Sequence, residues 1–160
     1  MESILIDSEW LAAELPDGFE RIPHKELETM MGFSYQLMWG SRDTQRHMIL
    51  CVSWKDSNKV LTKLVREKSY IKQVHNTYKL RYRKLGYRRD EFFACTIDGA
   101  DHEAQGLRFA YTIEGIPHRG ETITFKRGIR CYTLQYLTRT ETADANRPTY
   151  EAILDSLKVN

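Results

Sequence analysis

Three carboxylates and an imidazole, Asp98, Asp101, Glu103 and His102, fall within one short polar stretch. Such a group could hold a divalent cation, because the ion would relieve the repulsion among the carboxylates. Their spacing matches no known metal loop, and Asp98-Gly99 is a common turn dipeptide, so a solvated acidic turn is expected in place of a metal site. His75 stands four residues after Ile71 and three before Tyr78, on or beside an apolar stripe. A general base needs an oriented partner and a nucleophile within reach. The sequence marks neither, and a packed histidine is expected. Cys131 follows Arg130, whose charge could lower a thiol pKa, but no base accompanies it. Like Cys51 and Cys95 it lies inside a strand-like run without zinc-type spacing, and all three read as reduced structural thiols. Gly115 to Gly120 sits between strand-like runs and opens no helix, so it reads as a hairpin turn and not as a phosphate loop. No dinucleotide fingerprint, Walker loop, zinc-protease helix or nucleophile elbow occurs. The expectation is a protein without a cofactor and without catalysis.

Charge is the unusual feature. The chain carries a net +2, yet Lys55 to Arg89 holds twelve Lys/Arg and two acids, a net +10 against −8 for the rest. Lys59, Lys63, Arg66, Lys72, Arg81, Arg83 and Lys84 fall off the apolar stripe of that segment, with Arg88 and Arg89 just beyond it. Like charges at three- and four-residue spacing cost a few tenths of a kcal/mol each on a helix, and Glu67 is the one acid available to offset them. A docking face built from Lys59, Lys63, Arg66, Tyr70, Arg88 and Arg89 is therefore expected, facing an acidic protein or an acidic patch of a second copy. The bland reading is a solvated face that keeps a helix soluble. Nucleic acid is a weaker alternative, with Tyr70 and Tyr87 for stacking, because no recognised motif surrounds them and the acidic remainder would repel phosphates.

The elements that must position these residues follow from pattern. Pro16-Asp17-Gly18 marks a turn, and His24 to Met31 closed by Gly32 reads as a short helix. Phe33 to Trp39 and His47 to Trp54 read as a hairpin joined through the polar Gly40 to Arg46. Asp56-Ser57-Asn58 offers N-cap chemistry, and Leu61, Leu64, Ile71, Val74, Tyr78, Tyr82 and Leu85 form one stripe ending at Gly86. That predicts a helix over 57–85, roughly 40 Å long at ~1.5 Å per residue. Phe92 to Ile97, Leu107 to Glu114, Glu121 to Lys126 and Ile129 to Thr138 predict a four-stranded antiparallel meander. Asn146 as cap and Pro148 in the first turn open a terminal helix with the stripe Tyr150, Ile153, Leu154 and Leu157. A sheet with amphipathic helices before and after its meander must cover its faces with them, which gives an α+β class: an antiparallel sheet flanked by helices.

Leu15-Pro16-Asp17-Gly18-Phe19-Glu20, the strand Tyr132-Thr133-Leu134-Gln135-Tyr136 and the ending Tyr150-Glu151-Ala152-Ile153-Leu154-Asp155-Ser156-Leu157-Lys158 resemble the PsbP-like superfamily. That group includes PsbP, the Ran-binding Mog proteins and bacterial DcrB-like proteins. The resemblance implies an α/β/α sandwich and a non-catalytic binding or assembly role, with no family motif that transfers residue by residue. A small-molecule module with its pocket between sheet and helix is the other expectation.

With 160 residues, 41% of them hydrophobic, the chain is expected to form one domain over 1–160 with its own core. No apolar run approaches the ~20 residues that span a bilayer. The opening Met1-Glu2-Ser3-Ile4-Leu5-Ile6-Asp7 has no signal-peptide pattern, so a cytoplasmic location is expected.

Overall fold

The first residues already depart from the pattern reading, because the unassigned N-terminal segment is sheet. In a computed structural model, which describes residues 1–32, 37–58, 60 and 65–160, β1 (Glu2–Asp7) and β2 (Leu11–Leu15) form a hairpin. The short β3 (Glu20–Arg21), α1 (His24–Met31) and the hairpin β4 (Met38–Asp43) and β5 (Met48–Asp56) follow. Next come α2 (Glu67–Arg81), a 3-10 turn at Arg83–Leu85, and the strands β6 (Arg88–Cys95), β7 (Ala104–Ile113), β8 (Ile116–Arg127) and β9 (Arg130–Arg139). A 3-10 turn at Thr140–Thr142 leads into α3 (Ala143–Ser156), and β10 (Lys158–Val159) closes the chain.

The meander forms in the expected antiparallel order, and β5 adds to its last strand, giving a seven-stranded sheet β3-β4-β5-β9-β8-β7-β6. A second sheet, β1-β2-β10, joins the two ends of the chain. Helices cover both faces of the large sheet. On one side α3 and the small sheet bury Leu11, Phe125, Leu134, Tyr150 and Ile153. On the other, α1 closes over Ile22, Met38 and Cys51, while α2 closes over Leu107 and Phe109. This is the expected α/β/α layering. No described helix is long and apolar enough to cross a membrane.

Four local expectations are corrected. Within the span 57–85 predicted as one helix, Val60 is helical, Val65 and Arg66 are not, and α2 runs unbroken from Glu67 through His75 to Arg81, about 22 Å at ~1.5 Å per residue. Of the proposed cap residues, Asp56 ends β5 and binds Arg130 (2.7 and 3.1 Å), and the Ser57 amide donates to the Ile129 carbonyl at 2.9 Å. Glu67, in the first turn, instead places an acid against the positive end of the helix dipole. Leu61 and Leu64 lie outside the described residues, as do Phe33 to Gln36 of the first predicted strand. Second, the β4–β5 turn is Thr44 to His47, since Gly40 to Asp43 pair within β4. Third, the turn expected at Gly115 to Gly120 is only Glu114-Gly115, with Ile116 onward paired in β8. Both turn residues have positive φ (51° and 79°), as the two-residue hairpin turns that match strand twist require. Fourth, Asn146 is not a cap but a buried residue inside α3. Its amide donates to the Arg46 carbonyl (2.7 Å) and Thr138 Oγ1 (2.9 Å), tying the β4–β5 turn to the helix, and Pro148 lies inside the helix. The expected ending of α1 is met: Gly32 takes φ 74°, and a Cβ there would collide with the Arg81 guanidinium.

Candidate functional site

Helix α2 divides cleanly because its apolar residues recur at helical spacing. Ile71 and Tyr78 are buried against Leu107 and Phe109, with Val74 and Tyr82 half-buried beside them. The Tyr78 hydroxyl shares a hydrogen bond with Thr122 Oγ1 at 3.1 Å, and Tyr82 stacks on Tyr111 with centroids 4.8 Å apart. The acid of the helix also faces inward. Glu67 is 4% exposed, with Oε2 at 3.1 Å from His102 Nδ1 and Oε1 at 3.6 Å from Lys126 Nζ. It therefore offsets nothing on the outer face.

That outer face is basic from end to end. Lys68, Lys72 and Lys79 are exposed along α2, followed by Arg83 and Lys84 in the 3-10 turn, and none of these five pairs with an acid among the described residues. Lys68, Lys72, Asn76, Lys79 and Arg83 follow one another at steps of three and four, so they share a single stripe. Leu80, 77% exposed, stands beside them. The field of this face reaches His75, whose pKa lies below its ordinary value because of burial first, then the charges of Arg89 and Lys79. His75 is otherwise a packed residue, with Nδ1 at 2.9 Å from the Tyr87 hydroxyl and its ring edge-on to Phe92.

The residues singled out from sequence spread along this face and past it. Arg66 is the exposed N-cap of α2, and Tyr70, one turn on, lies under Lys55 Nζ at 5.2 Å. Arg88 and Arg89 are exposed at the far end, on the edge strand β6. Arg89 lies over the Phe92 ring at 4.6 Å, and Arg88 is 3.7 Å from Asp90. Charge on an edge strand also protects it from pairing with other chains. Lys59 and Lys63 lie outside the described residues. Sequence reasoning passed over Lys68 and Lys79, although their four- and seven-residue spacing from Lys72 was legible.

The residues that could have done other chemistry are structural. Asp101 accepts the Gly128 amide at 2.7 Å and reaches Arg127 at 3.4 Å, while Asp98 accepts the Val159 amide through its carbonyl at 2.9 Å. His102 is held by Glu67, and Glu103 is exposed. Among the described residues no three His, Cys, Asp or Glu side chains gather as a metal would need. Cys131 is buried, and desolvation raises its pKa despite the nearby charges of Lys126 and Lys55. Burial likewise pushes Cys51 up to about 12. Neither is an activated thiol.

The whole architecture matches solved structures. The cyanobacterial PsbP, CyanoP, of Synechocystis superposes with a TM-score of 0.71 at 15% identity, over 99% of this chain and 92% of that one. The Ran-binding protein Mog1p of Saccharomyces cerevisiae gives 0.57 at 6% identity, over 99% and 94%. LpqN of Mycobacterium tuberculosis, involved in cell envelope biogenesis, gives 0.51 at 12%, over 94% and 83%. No family model matches the sequence, and no curated protein matches it. The fold is PsbP-like, as these likenesses establish.

Proposed function

We propose that this PsbP-like chain is a non-catalytic binding protein whose basic α2 face docks an acidic protein partner or an acidic surface of a second copy. The observation that carries the reading is the exposed stripe Lys68, Lys72, Lys79 and Arg83, without acidic partners among the described residues, above a helix whose acid is buried. Arg66 and Tyr70 extend the face at one end, and Arg88 and Arg89 at the other. Folding needs only the inner seam of Ile71, Val74 and Tyr78, so the outward charge is surplus to packing. A face of one sign raises the rate at which an oppositely charged surface finds it. Leu80 offers a protein partner an apolar contact that a phosphate backbone would not use. Protein binding also agrees with the fold, since Mog1p is by its name Ran-binding.

The test is affinity capture from native lysate with the wild-type chain and with the Lys72→Glu/Lys79→Glu variant, each checked for folding by thermal melting. An acidic protein retained by the wild type and lost by the folded variant supports the reading. Binding of that protein, once purified, should slow in the variant and lose its salt dependence. Capture that nuclease abolishes would assign the face to nucleic acid instead. Equal capture by both chains would show a merely solvated face.

A further inference from the structure

Helices α1 and α2 cover separate parts of one face of the large sheet, and a strip between them stays partly open. Strand register identifies the strip. Arg42, Ile49 and Leu137 are successive cross-strand partners in one row, and His118 pairs with Arg139 in the next row on the same face. Ile49 and Leu137 are apolar and belong to the inner strands β5 and β9, yet both are only half-buried. They floor a cleft of about 370 Å³, a size within the ~300–1,000 Å³ of small-molecule sites. The same two residues also line a slot of about 80 Å³, together with Met30 and Met31 of α1 and the rings of Tyr82 and Tyr111. Cleft and slot therefore share one apolar floor.

The charges around the cleft are engaged, with one exception. Arg42 places both terminal nitrogens on Glu26. Asp43 Oδ1 accepts the Gln45 and Arg46 amides at 3.0 Å, and its Oδ2 pairs with Arg46. Thr44, His47 and His118 bring no negative charge to the wall. Arg139 is the exception. Its guanidinium makes no hydrogen bond among the described residues, and the acid beside it, Glu141, is 68% exposed and 3.6 Å from Nη1.

We infer that this cleft binds a small amphiphilic carboxylate, its saturated chain over Ile49 and Leu137 and its head group on the Arg139 guanidinium. A guanidinium offers a carboxylate two parallel N–H donors, which suits the head. A neutral apolar molecule would leave Arg139 unused, and a bare anion would leave the floor uncovered. An organic cation would meet the charge of Arg139 unopposed. The outward stripe of α2 takes no part, so the inference is independent of the docking face.

Calorimetric titration with hexanoate, octanoate and decanoate tests it, with acetate, octanol and octylamine as controls. The three carboxylates should bind saturably at one site, tightening by up to about fourfold per added methylene until the slot is full. Acetate, octanol and octylamine should each bind at least about tenfold more weakly than octanoate. The fold draws no hydrogen bond from the Arg139 guanidinium, so Arg139→Gln should melt with the wild type while weakening octanoate about tenfold and leaving octanol unchanged. Leu137→Thr keeps a residue that suits a strand, and it should weaken octanoate and octanol alike. Lys72→Glu/Lys79→Glu should leave octanoate affinity unaltered. The inference is overturned if no carboxylate in the series binds saturably, or if octanol or octylamine binds as tightly as octanoate. Octanoate affinity that Arg139→Gln leaves unchanged, or that the α2 variant abolishes, overturns it as well.

Discussion

Arginine and lysine are used in two opposite ways in this molecule. Where β1, β5 and β9 meet, Arg130 grips both Asp56 oxygens and reaches Asp7 Oδ2 at 2.8 Å, and the Tyr132 hydroxyl donates to the same oxygen at 2.7 Å. Asp7 is 6% exposed there, Arg130 holds the Asp56 carboxyl below the usual carboxylate range, and the two acids raise Arg130 in turn. Every charge in that knot has its counter-charge within hydrogen-bond reach, and the knot ties the small sheet to the large one. On the outer face of α2, Lys68, Lys72, Lys79 and Arg83 have no such counter-charge among the described residues. A cation that the fold has engaged fixes structure, whereas one left exposed on a same-sign stripe is available to another molecule.

Breaking the engaged side of this contrast should produce the largest effect. Arg130→Ala leaves Asp7 buried with only the Tyr132 hydrogen bond, and should cost about 2–4 kcal/mol in urea denaturation. A loss below about 1 kcal/mol would show that the knot is not what joins the sheets. Arg81 gives an intermediate case, being the one cation of α2 whose guanidinium hydrogen-bonds the Met31 carbonyl at the end of α1. Arg81→Ala should cost about 1 kcal/mol, the usual net contribution of one intramolecular hydrogen bond at an exposed side chain.

His75 reads the field of the unpaired face through pH. Its folded pKa lies below the ordinary value of about 6.5, so the unfolded chain binds protons first as pH falls. Stability should therefore decline as pH drops from about 6.5 toward the folded pKa, and level off below it. His75→Gln should flatten that part of the profile. Lys79→Ala should raise the His75 pKa seen by NMR, because it removes one of the charges that depress it. The smallest change is expected from Lys72→Glu/Lys79→Glu, which should leave stability within about 0.5 kcal/mol of wild type. A larger loss would mean that these lysines are engaged after all.

Local pattern determined much of the fold. Period-two runs between Phe92 and Thr138 specified the meander, because strand pairing through short turns admits only antiparallel neighbours. His24 to Met31 with Gly32 specified α1, since the left-handed cap is a local steric matter. The inward seam Ile71, Val74, Tyr78 and the surplus of positive charge were equally legible, as both depend only on spacing. Tertiary structure decided what polar side chains do when two fates compete. Asp56 and Ser57 have the chemistry of a helix cap, but Arg130 and the Ile129 carbonyl offered them partners from β9 and its turn. Asn146 could have capped α3, and instead it satisfies the β4–β5 turn one hundred residues away. Glu121 and Tyr136 were anonymous members of alternating strands until register set them side by side under α3. Hydrogen-bond partners distant in sequence leave no mark on spacing, so only the folded chain shows which charges are engaged and which are left open.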